Sequence, residues 1–302
     1  MSGDLIEPQF HVGERKAQAL AGVAPRGSAI RHLMPDQHRV FFAALPFVVV
    51  ATVDDAGWPL ATILSGPPGF VASPDPETLW IAAAPDNDDP AAPWIKPGAP
   101  FGLLGIDLAT RRRNRANGWI ANAAPGRLTV AVKESFGNCA QYIHIRAIGR
   151  RAGAAGATER VAGLDARACA AIGAADTFFV ATSGGERGVD ISHRAGKPGF
   201  VRIDGDTLTI PDYPGNRYFN TLGNLLLDPR AGLLFPDFDS GDLLLVQGRA
   251  EIVWDPPEGQ RLPGADRLWR LKAARTWHRR GALPYRWSLQ AMSTSAALAA
   301  VR

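Results

Sequence analysis

The chain has 302 residues, of which 46% are hydrophobic, and it carries a formal net charge of +4 and two cysteines. This composition excludes a disordered chain and a disulfide framework, and it gives only weak support for nucleic-acid binding. Residues 1–16 contain no apolar core of signal-peptide length and no run is long enough to span a membrane, so we expect a cytoplasmic protein with two moderate hydrophobic cores.

Apolar runs broken by turn residues predict a mainly β chain with a few peripheral helices. After a lead-in over residues 1–35, Asp36 is the expected cap of a helix that ends at Leu45. The continuous apolar sequence PFVVVATV then predicts a central strand from Phe47 to Val53 that is buried on both faces. The spacing of the following strands is typical of a small antiparallel barrel. These strands are predicted near 58–64, 78–83, 101–107, 119–122 and 128–134.

The second part of the chain predicts a similar series of strands. A Gly/Ala/Arg-rich linker from 149 to 157 leads into a helix that is capped by Thr158 and ends near Ile172. A short helix is expected from Asn216 to Leu227, and the C-terminal aromatic residues predict a helix and a strand that close a second barrel. The strands are predicted near 176–182, 189–194, 199–203, 207–212, 231–238 and 243–253.

The sequence repeats itself at a nearly constant offset. Residues 50–52 (VAT) recur at 180–182, and residues 102–104 (GLL) recur at 232–234, 130 positions later in both cases. Chance does not maintain one offset over so long a stretch, so we infer an internal duplication. The predicted domains are a lead-in over 1–35, a first barrel over 36–148, a linker and helix over 149–175, and a second barrel over 176–302.

The two copies differ in charge at equivalent positions. Four apolar positions of the first copy are basic in the second, where they are His193, Arg194, Lys197 and Arg202. The segment APDNDDPAAPWIKP of the first copy has three aspartates that would repel a phosphate group, whereas its equivalent PDYPGNRYFNTLGN carries Arg217. Because a phosphate dianion needs several charge-assisted hydrogen bonds, only the second copy is predicted to hold one.

The second copy resembles the pyridoxamine 5′-phosphate oxidase-like family of FMN-binding split barrels through SHRAGKPGFV, PDYPGNRYFNTLGNL, DPRAGLLFPDF and LLLVQGRAEI. The first copy is similar to the same family through LPFVVVATVDDAGWPLATILSGPPGF. The resemblance implies two tandem split β-barrels that form a pseudo-dimer within one chain. It also implies one intact site for an FMN cofactor, in the groove between the barrels.

Family phosphate contacts carry over to the basic cluster of the second copy. The implied cofactor-binding residues are Ser192, His193, Arg194, Lys197, Arg202, Asn216, Arg217, Thr221 and Asn224. Three arginines of the first copy, Arg111, Arg112 and Arg113, are further candidates, because in a pseudo-dimer they would reach across to the flavin or the substrate. The alternative reading of this basic run is a solvated hairpin tip.

Cys139, Tyr142 and His144 are the candidate catalytic residues, because the family places this segment near the flavin edge. The alternative for Cys139 is a small buried side chain without chemistry. The cysteines and histidines show no zinc-ligand spacing, so no metal site is predicted.

The resemblance implies a flavin-dependent oxidoreductase that acts on a small molecule and takes electrons from a separate reductase or from NAD(P)H. One alternative is a protein that binds FMN or haem without turnover, and another is a split barrel without any cofactor. The chain is expected to be a monomer that contains both barrels, or a homodimer.

Overall fold

The computed structural model describes residues 10–23 and 29–295, and in these ranges the chain is mainly β with peripheral helices, as predicted. The α-helices of the described ranges are α1 (Val12–Leu20), α2 (Asp36–Ala44), α3 (Ala166–Ala174) and α4 (Asn220–Leu227). Short 3-10 turns lie at Ala92–Trp94, Gly185–Arg187 and Glu258–Gln260. None of the helices that the structure describes combines the length and the hydropathy needed to cross a membrane.

The first sheet has seven antiparallel strands in the order β2-β1-β5-β6-β7-β4-β3. Its strands are β1 (Phe47–Val53), β2 (Pro59–Ser65), β3 (Val71–Asp75), β4 (Thr78–Ile81), β5 (Pro100–Asp107), β6 (Arg112–Ala124) and β7 (Arg127–Gly137). We call the part of the chain that carries this sheet the first half. Two strands follow it, β8 (Ile145–Arg150) and β9 (Thr158–Ala162).

The second sheet has the order β11-β10-β14-β15-β16-β13-β12, which repeats the first sheet strand for strand, and β9 adds to β16. Its strands are β10 (Thr177–Ser183), β11 (Val189–Ala195), β12 (Arg202–Asp204), β13 (Thr207–Asp212), β14 (Arg230–Pro236), β15 (Leu243–Val253) and β16 (Arg267–Arg279). We call the part of the chain that carries this sheet the second half. The last strand, β17 (Tyr285–Ala291), pairs with β8 in a separate ribbon.

Strand β1 is buried on both faces, which confirms the prediction from its continuous apolar sequence. Because side chains alternate along a strand, Val48 and Val50 pack in the core of the first half, while Val49 and Ala51 pack in a core that both halves share. The equivalent strand β10 divides its side chains in the same way, with Val180 in the core of the second half. Both halves therefore meet through their central strands.

The contact between the halves depends on two equivalent glycines. A Cβ atom on Gly102 of β5 would lie 2.8 Å from the carbonyl oxygen of Val189. A Cβ atom on Gly232 of β14 would collide with the carbonyl oxygen of Pro59. Since each member of the second contact lies 130 positions from a member of the first, the two contacts are related as in the interface of a symmetric dimer.

Three local predictions about helices were wrong. The helix that begins at Asp36 has Pro35 as its N-cap, and the Asp36 carboxylate instead accepts a hydrogen bond from Arg39 at 2.8 Å. Residues 158–162 form β9 rather than a helix, because β16 supplies a partner strand. The helix begins later, where Asp165 accepts from the backbone N–H of Ala168 at 2.8 Å.

The C-terminal aromatic residues lie on strands rather than on a helix and a strand. Trp269 and Trp277 belong to β16, and Trp287 belongs to β17. The basic run from Arg111 to Arg115 is not confined to a hairpin tip, because β6 begins at Arg112. The side chains of this strand consequently alternate between two faces, which determines the candidate site.

Candidate functional site

A cavity of about 370 Å³ lies between the two halves. Arg115 of β6 lines it from the first half, and Ser192 and Arg194 of β11 line it from the second. The connection before α4, residues 213–217, and the first turn of α4 complete its wall. A smaller cavity of about 80 Å³ shares Arg115 and Arg194 and extends along the first half to Arg113. The site is thus built from both sheets.

The backbone before α4 is shaped by two residues in the left-handed region. Arg217 has a φ of 62° and Phe219 a φ of 60°, both unusual for residues with a side chain. Phe219 is the N-cap of α4 and forms no side-chain cap, so the first turn of this eight-residue helix, which lines the cavity, has no capping oxygen from that side chain. A helix start of this kind favours an anion when cationic side chains also face it.

Arg115 is the centre of the contacts between the halves at this site. Its guanidinium donates to Asp190 at 2.5 Å and to the Ser192 hydroxyl at 2.8 Å. The side chains of Arg115 and Asp190 are only 8% and 9% exposed, so the ion pair is buried. The Ser192 hydroxyl also lies 2.9 Å from that of Thr221 on α4. Arg115 therefore fixes β6 against β11 and α4 together.

Arg113 lies two residues earlier on the same face of β6 and contacts His193 rather than a carboxylate. Its Nη1 lies 2.9 Å from His193 Nδ1, and because a guanidinium only donates, Nδ1 must be the acceptor. Burial, together with the charge of Arg113, holds the pKa of His193 well below its usual value, so the imidazole is neutral. Its remaining proton is on Nε2, which is buried and has no hydrogen-bond acceptor in the part of the chain that the structure describes.

Arg194 and Arg267 both contact the carboxylate of Asp212. Arg267 donates to it at 2.7 Å, while Arg194 lies 3.5 Å away and is 28% exposed. The Arg267 guanidinium also stacks over the Phe219 ring at 5.0 Å, which places it beneath the start of α4. Asp266 also lines this side of the cavity, 3.6 Å from Arg267, so the two arginines face two carboxylates here.

Positive charge is crowded at the centre of the site. Burial, and then the charges of Arg115 and Arg194, lower the pKa of Arg113 to about 9. Burial likewise lowers the pKa of Arg115 despite its ion pair with Asp190. The Nε atoms of Arg113, Arg115 and Arg194 are buried and have no hydrogen-bond partner among residues 10–23 and 29–295. An anionic ligand would both neutralise this charge and accept from these donors.

Most of the residues that the sequence assigned to a cofactor come together around the two cavities. They are Ser192, His193, Arg194, Asn216, Arg217, Thr221 and, from the first half, Arg113. Asn224 is buried one turn further along α4, where it donates to the Thr182 hydroxyl at 3.0 Å. The other members lie outside both cavity walls. They are Lys197, Arg202, Arg111 and Arg112.

The three candidate catalytic residues have different surroundings. Cys139 is exposed and lines the smaller cavity. Tyr142 also lines it, stacks on Tyr213 with ring centroids 5.4 Å apart, and has a pKa that burial raises to about 12. His144 is buried and both of its ring nitrogens are bonded to backbone, to Gly196 at 3.1 Å and to Ser293 at 3.0 Å. Its contacts are those of a structural histidine.

Sequence reasoning missed several residues of the site. They are Asp190, Tyr213, Asn220 and Arg267, and Arg115 was only part of the basic run 111–115 and not one of its named candidates. A usable signal was present for Arg115, because Arg113, Arg115 and Asn117 recur with the period of two that places side chains on one face of a strand. The described residues contain no group of three or more His, Cys, Asp or Glu side chains that could hold a metal ion.

The segment that follows helix α1 lines the larger cavity, although it precedes the first half in the sequence. Residues 21–23, just after the helix, line the cavity, and Ala17 packs in the core of the second half. The helix crosses α4 where Gly13 meets Gly223, a contact too close for a Cβ atom on either residue. Glu14 is consequently buried between the helices, where it accepts from Asn220 at 2.5 Å.

We expect the stability of the protein to fall as the pH rises from about 5 to about 8, owing to Glu14. Burial raises its pKa to about 7, while the pKa of the neighbouring His11 is lowered to about 4, so their 3.7 Å contact is not an ion pair at neutral pH. The protonated carboxyl stabilises the fold below its unfolded pKa, and about 3 kcal/mol is lost as the pH rises through the folded pKa.

Chemical denaturation across this pH range measures the effect. Glu14→Gln should flatten the slope of unfolding free energy against pH, whereas the matched change Glu258→Gln at an exposed glutamate should leave the slope unchanged. An equal slope in wild type and Glu14→Gln would contradict the assignment.

The family match lies in the second half of the chain. Residues 164–283 match the family described as pyridoxamine 5′-phosphate oxidase. No curated protein matches the sequence significantly. Among solved structures, HupZ of Group A Streptococcus is 14% identical, with a TM-score of 0.31 over 38% of this chain and 98% of its own.

Two further solved structures have similar coverage. A candidate pyridoxamine 5′-phosphate oxidase of Lactobacillus delbrueckii is 19% identical, with a TM-score of 0.28 over 35% of this chain and 94% of its own. An FAD-binding protein of Mesorhizobium loti is 13% identical, with a TM-score of 0.30 over 40% of this chain and 96% of its own.

Proposed function

Because residues 164–283 match the pyridoxamine 5′-phosphate oxidase family, we propose that the chain binds FMN between its two halves and acts as a flavin-dependent oxidoreductase. The observation that carries the proposal is the set of buried donors without acceptors, which includes Nε of Arg113, Arg115 and Arg194 and Nε2 of His193. Buried polar groups are rarely left unpaired, so these donors fit a ligand rich in acceptor oxygens.

The phosphate belongs at the end of the larger cavity where α4 begins. Uncapped N–H groups of α4, the hydroxyls of Ser192 and Thr221, and the Arg217 side chain meet there. Each charge-assisted hydrogen bond to a phosphate contributes about 1.5–3 kcal/mol, so a few such contacts supply much of the roughly 8 kcal/mol of micromolar binding. Lys197 and Arg202, outside the cavity walls, are not needed in this assignment.

The flavin ring belongs at the other end, where the smaller cavity brings Arg113, His193 and Tyr142 together. A bound flavin supplies hydride or electron transfer, while the protein orients it and tunes its electronics. Arg113 and the Nε2 proton of His193 are positioned to donate to acceptor atoms at this end. Cys139 is exposed, and it remains the candidate for a thiol next to the substrate.

The two halves are proposed to be a tandem duplication in which one half kept the cofactor site. The identical strand orders and the exchanged glycine contacts support this proposal. In this proposal the first barrel is the domain at 36–148 and the second barrel is the domain at 176–302. The chain would then contain both partners of a dimer-like site. It would work in the cytoplasm, on a small molecule, with NAD(P)H or a reductase as electron donor.

The visible spectrum of purified protein tests the proposal. A flavin absorbance band that NADH or NADPH bleaches supports the oxidoreductase. A flavin band that no reductant changes supports a non-catalytic carrier, and a Soret band supports haem in place of flavin. Protein that is colourless and takes up neither cofactor on reconstitution would overturn the proposal.

A further inference from the structure

Equivalent hydroxyl groups in the two halves have different neighbours. Thr62 on β2 pairs with Val50, and Ser192 on β11 pairs with Val180. Ser192 lies 130 positions after Thr62, and Val180 lies 130 positions after Val50, so the two hydroxyl groups occupy equivalent positions. In the second half, Ser192 opens into the larger cavity and accepts from Arg115 of the opposite half at 2.8 Å. In the first half, Thr62 is completely buried and donates to the carboxylate of Asp89.

The side chain of Asp89 accepts hydrogen bonds from three donors, as a bound oxyanion would. Its side chain accepts from the Thr62 hydroxyl, from the backbone N–H of Ala91 at 2.8 Å, and from the Arg279 guanidinium at 2.7 Å. Asp89 is 2% exposed and Arg279 is 5% exposed. Arg279 belongs to the second half, so an arginine again crosses from the opposite half, as Arg115 does toward Ser192.

The Asp89 carboxylate and the wall of the larger cavity belong to equivalent segments between strands in the two halves. Asp89 lies between β4 and β5, and the equivalent connection between β13 and β14 contains the residues that wall the larger cavity before and at the start of α4. Each half thus combines a strand hydroxyl, an arginine from the opposite half and a backbone N–H donor. One half fills the space between them with its own carboxylate, and the other half leaves it open.

We propose that the Asp89 carboxylate is a built-in anion, which permanently fills an oxyanion site in the first half that is the counterpart of the ligand site in the second. The class of ligand that this first-half site would accept is a small oxyanion such as formate or phosphate. The carboxylate keeps Arg279 paired and prevents a second ligand from binding. This inference concerns the chain itself and does not depend on which cofactor the second half holds.

Chemical rescue tests the proposal. Asp89→Ala should lower the melting temperature by roughly 5–10 °C, because Arg279 loses its buried partner. Added formate or phosphate should restore at least half of that loss, whereas chloride at the same ionic strength should not. Formate and phosphate can also bind the second half and raise the melting temperature of wild type. The rescue is therefore the rise in the melting temperature of Asp89→Ala minus the rise in wild type.

Asp86→Ala is the matched control, since Asp86 approaches the same guanidinium at 3.3 Å but is 64% exposed. It should melt within about 2 °C of wild type and show no rescue. Equal rescue by chloride and formate in Asp89→Ala would overturn the proposal. If Asp89→Ala does not fold, Asp89→Asn keeps the volume and removes the charge, and a melting temperature equal to that of Asp86→Asn would overturn it as well.

Discussion

Replacing Arg115 with methionine should lower the free energy of unfolding by about 3–5 kcal/mol, the cost of leaving a buried charge without its partner. Asp190 would keep the Asn117 amide, which donates to it at 3.1 Å, and Ser192 would lose its donor from the first half. The change also removes the contact of the guanidinium with the Phe136 ring, whose centroid lies 5.3 Å away. Urea denaturation monitored by tryptophan fluorescence measures the loss.

A second substitution separates the charge effect from the packing effect. With Asp190→Asn added to Arg115→Met, no buried charge remains unpaired, so most of the lost stability should return. If the double variant is no more stable than Arg115→Met alone, the ion pair is not what joins the two halves at this point.

Replacing Arg217 with alanine should weaken FMN binding roughly 10- to 100-fold and leave riboflavin binding unchanged, because riboflavin lacks the phosphate. Arg217 lines the larger cavity next to the start of α4 and is exposed. Arg113→Gln should weaken both ligands, since Arg113 lies at the end assigned to the ring. Fluorescence quenching of each ligand on binding measures the two affinities.

Arg202→Ala is the matched control for the Arg217 variant. The sequence placed Arg202 in the phosphate cluster, but its side chain is exposed on β12 and lies outside both cavity walls. FMN and riboflavin should bind this variant as tightly as wild type. A loss of FMN binding in Arg202→Ala, with Arg217→Ala unaffected, would contradict the assignment and place the phosphate next to β12.

The sequence located β1 and the boundaries of β15 because apolar periodicity is a local property. The continuous run from Phe47 to Val53 is buried on both faces, and 243–253 is a strand over the whole predicted range. Thr158 misled the helix prediction because its neighbours form a strand only through pairing with β16, more than 100 residues away in the chain. A partner at that distance leaves no signal in a local window.

The site was predictable in part for the same reason. Charge asymmetry between the copies identified the region of His193, Arg194 and Arg217, which do line the cavities. The same comparison could not separate Arg202 from the residues that line the cavities, because every basic residue that replaces an apolar residue of the first copy is an equally good candidate. It also did not identify Asp89 as a partner of Arg279, since that contact joins residues 190 positions apart.

The walls of the larger cavity come from two sheets that one polypeptide joins covalently. Where such a site forms between separate subunits, dilution empties it by dissociation. Here the linker holds the local concentration of one half around the other at a fixed value, whatever the amount of protein in solution. Ligand affinity measured at nanomolar protein should therefore equal that measured at micromolar protein.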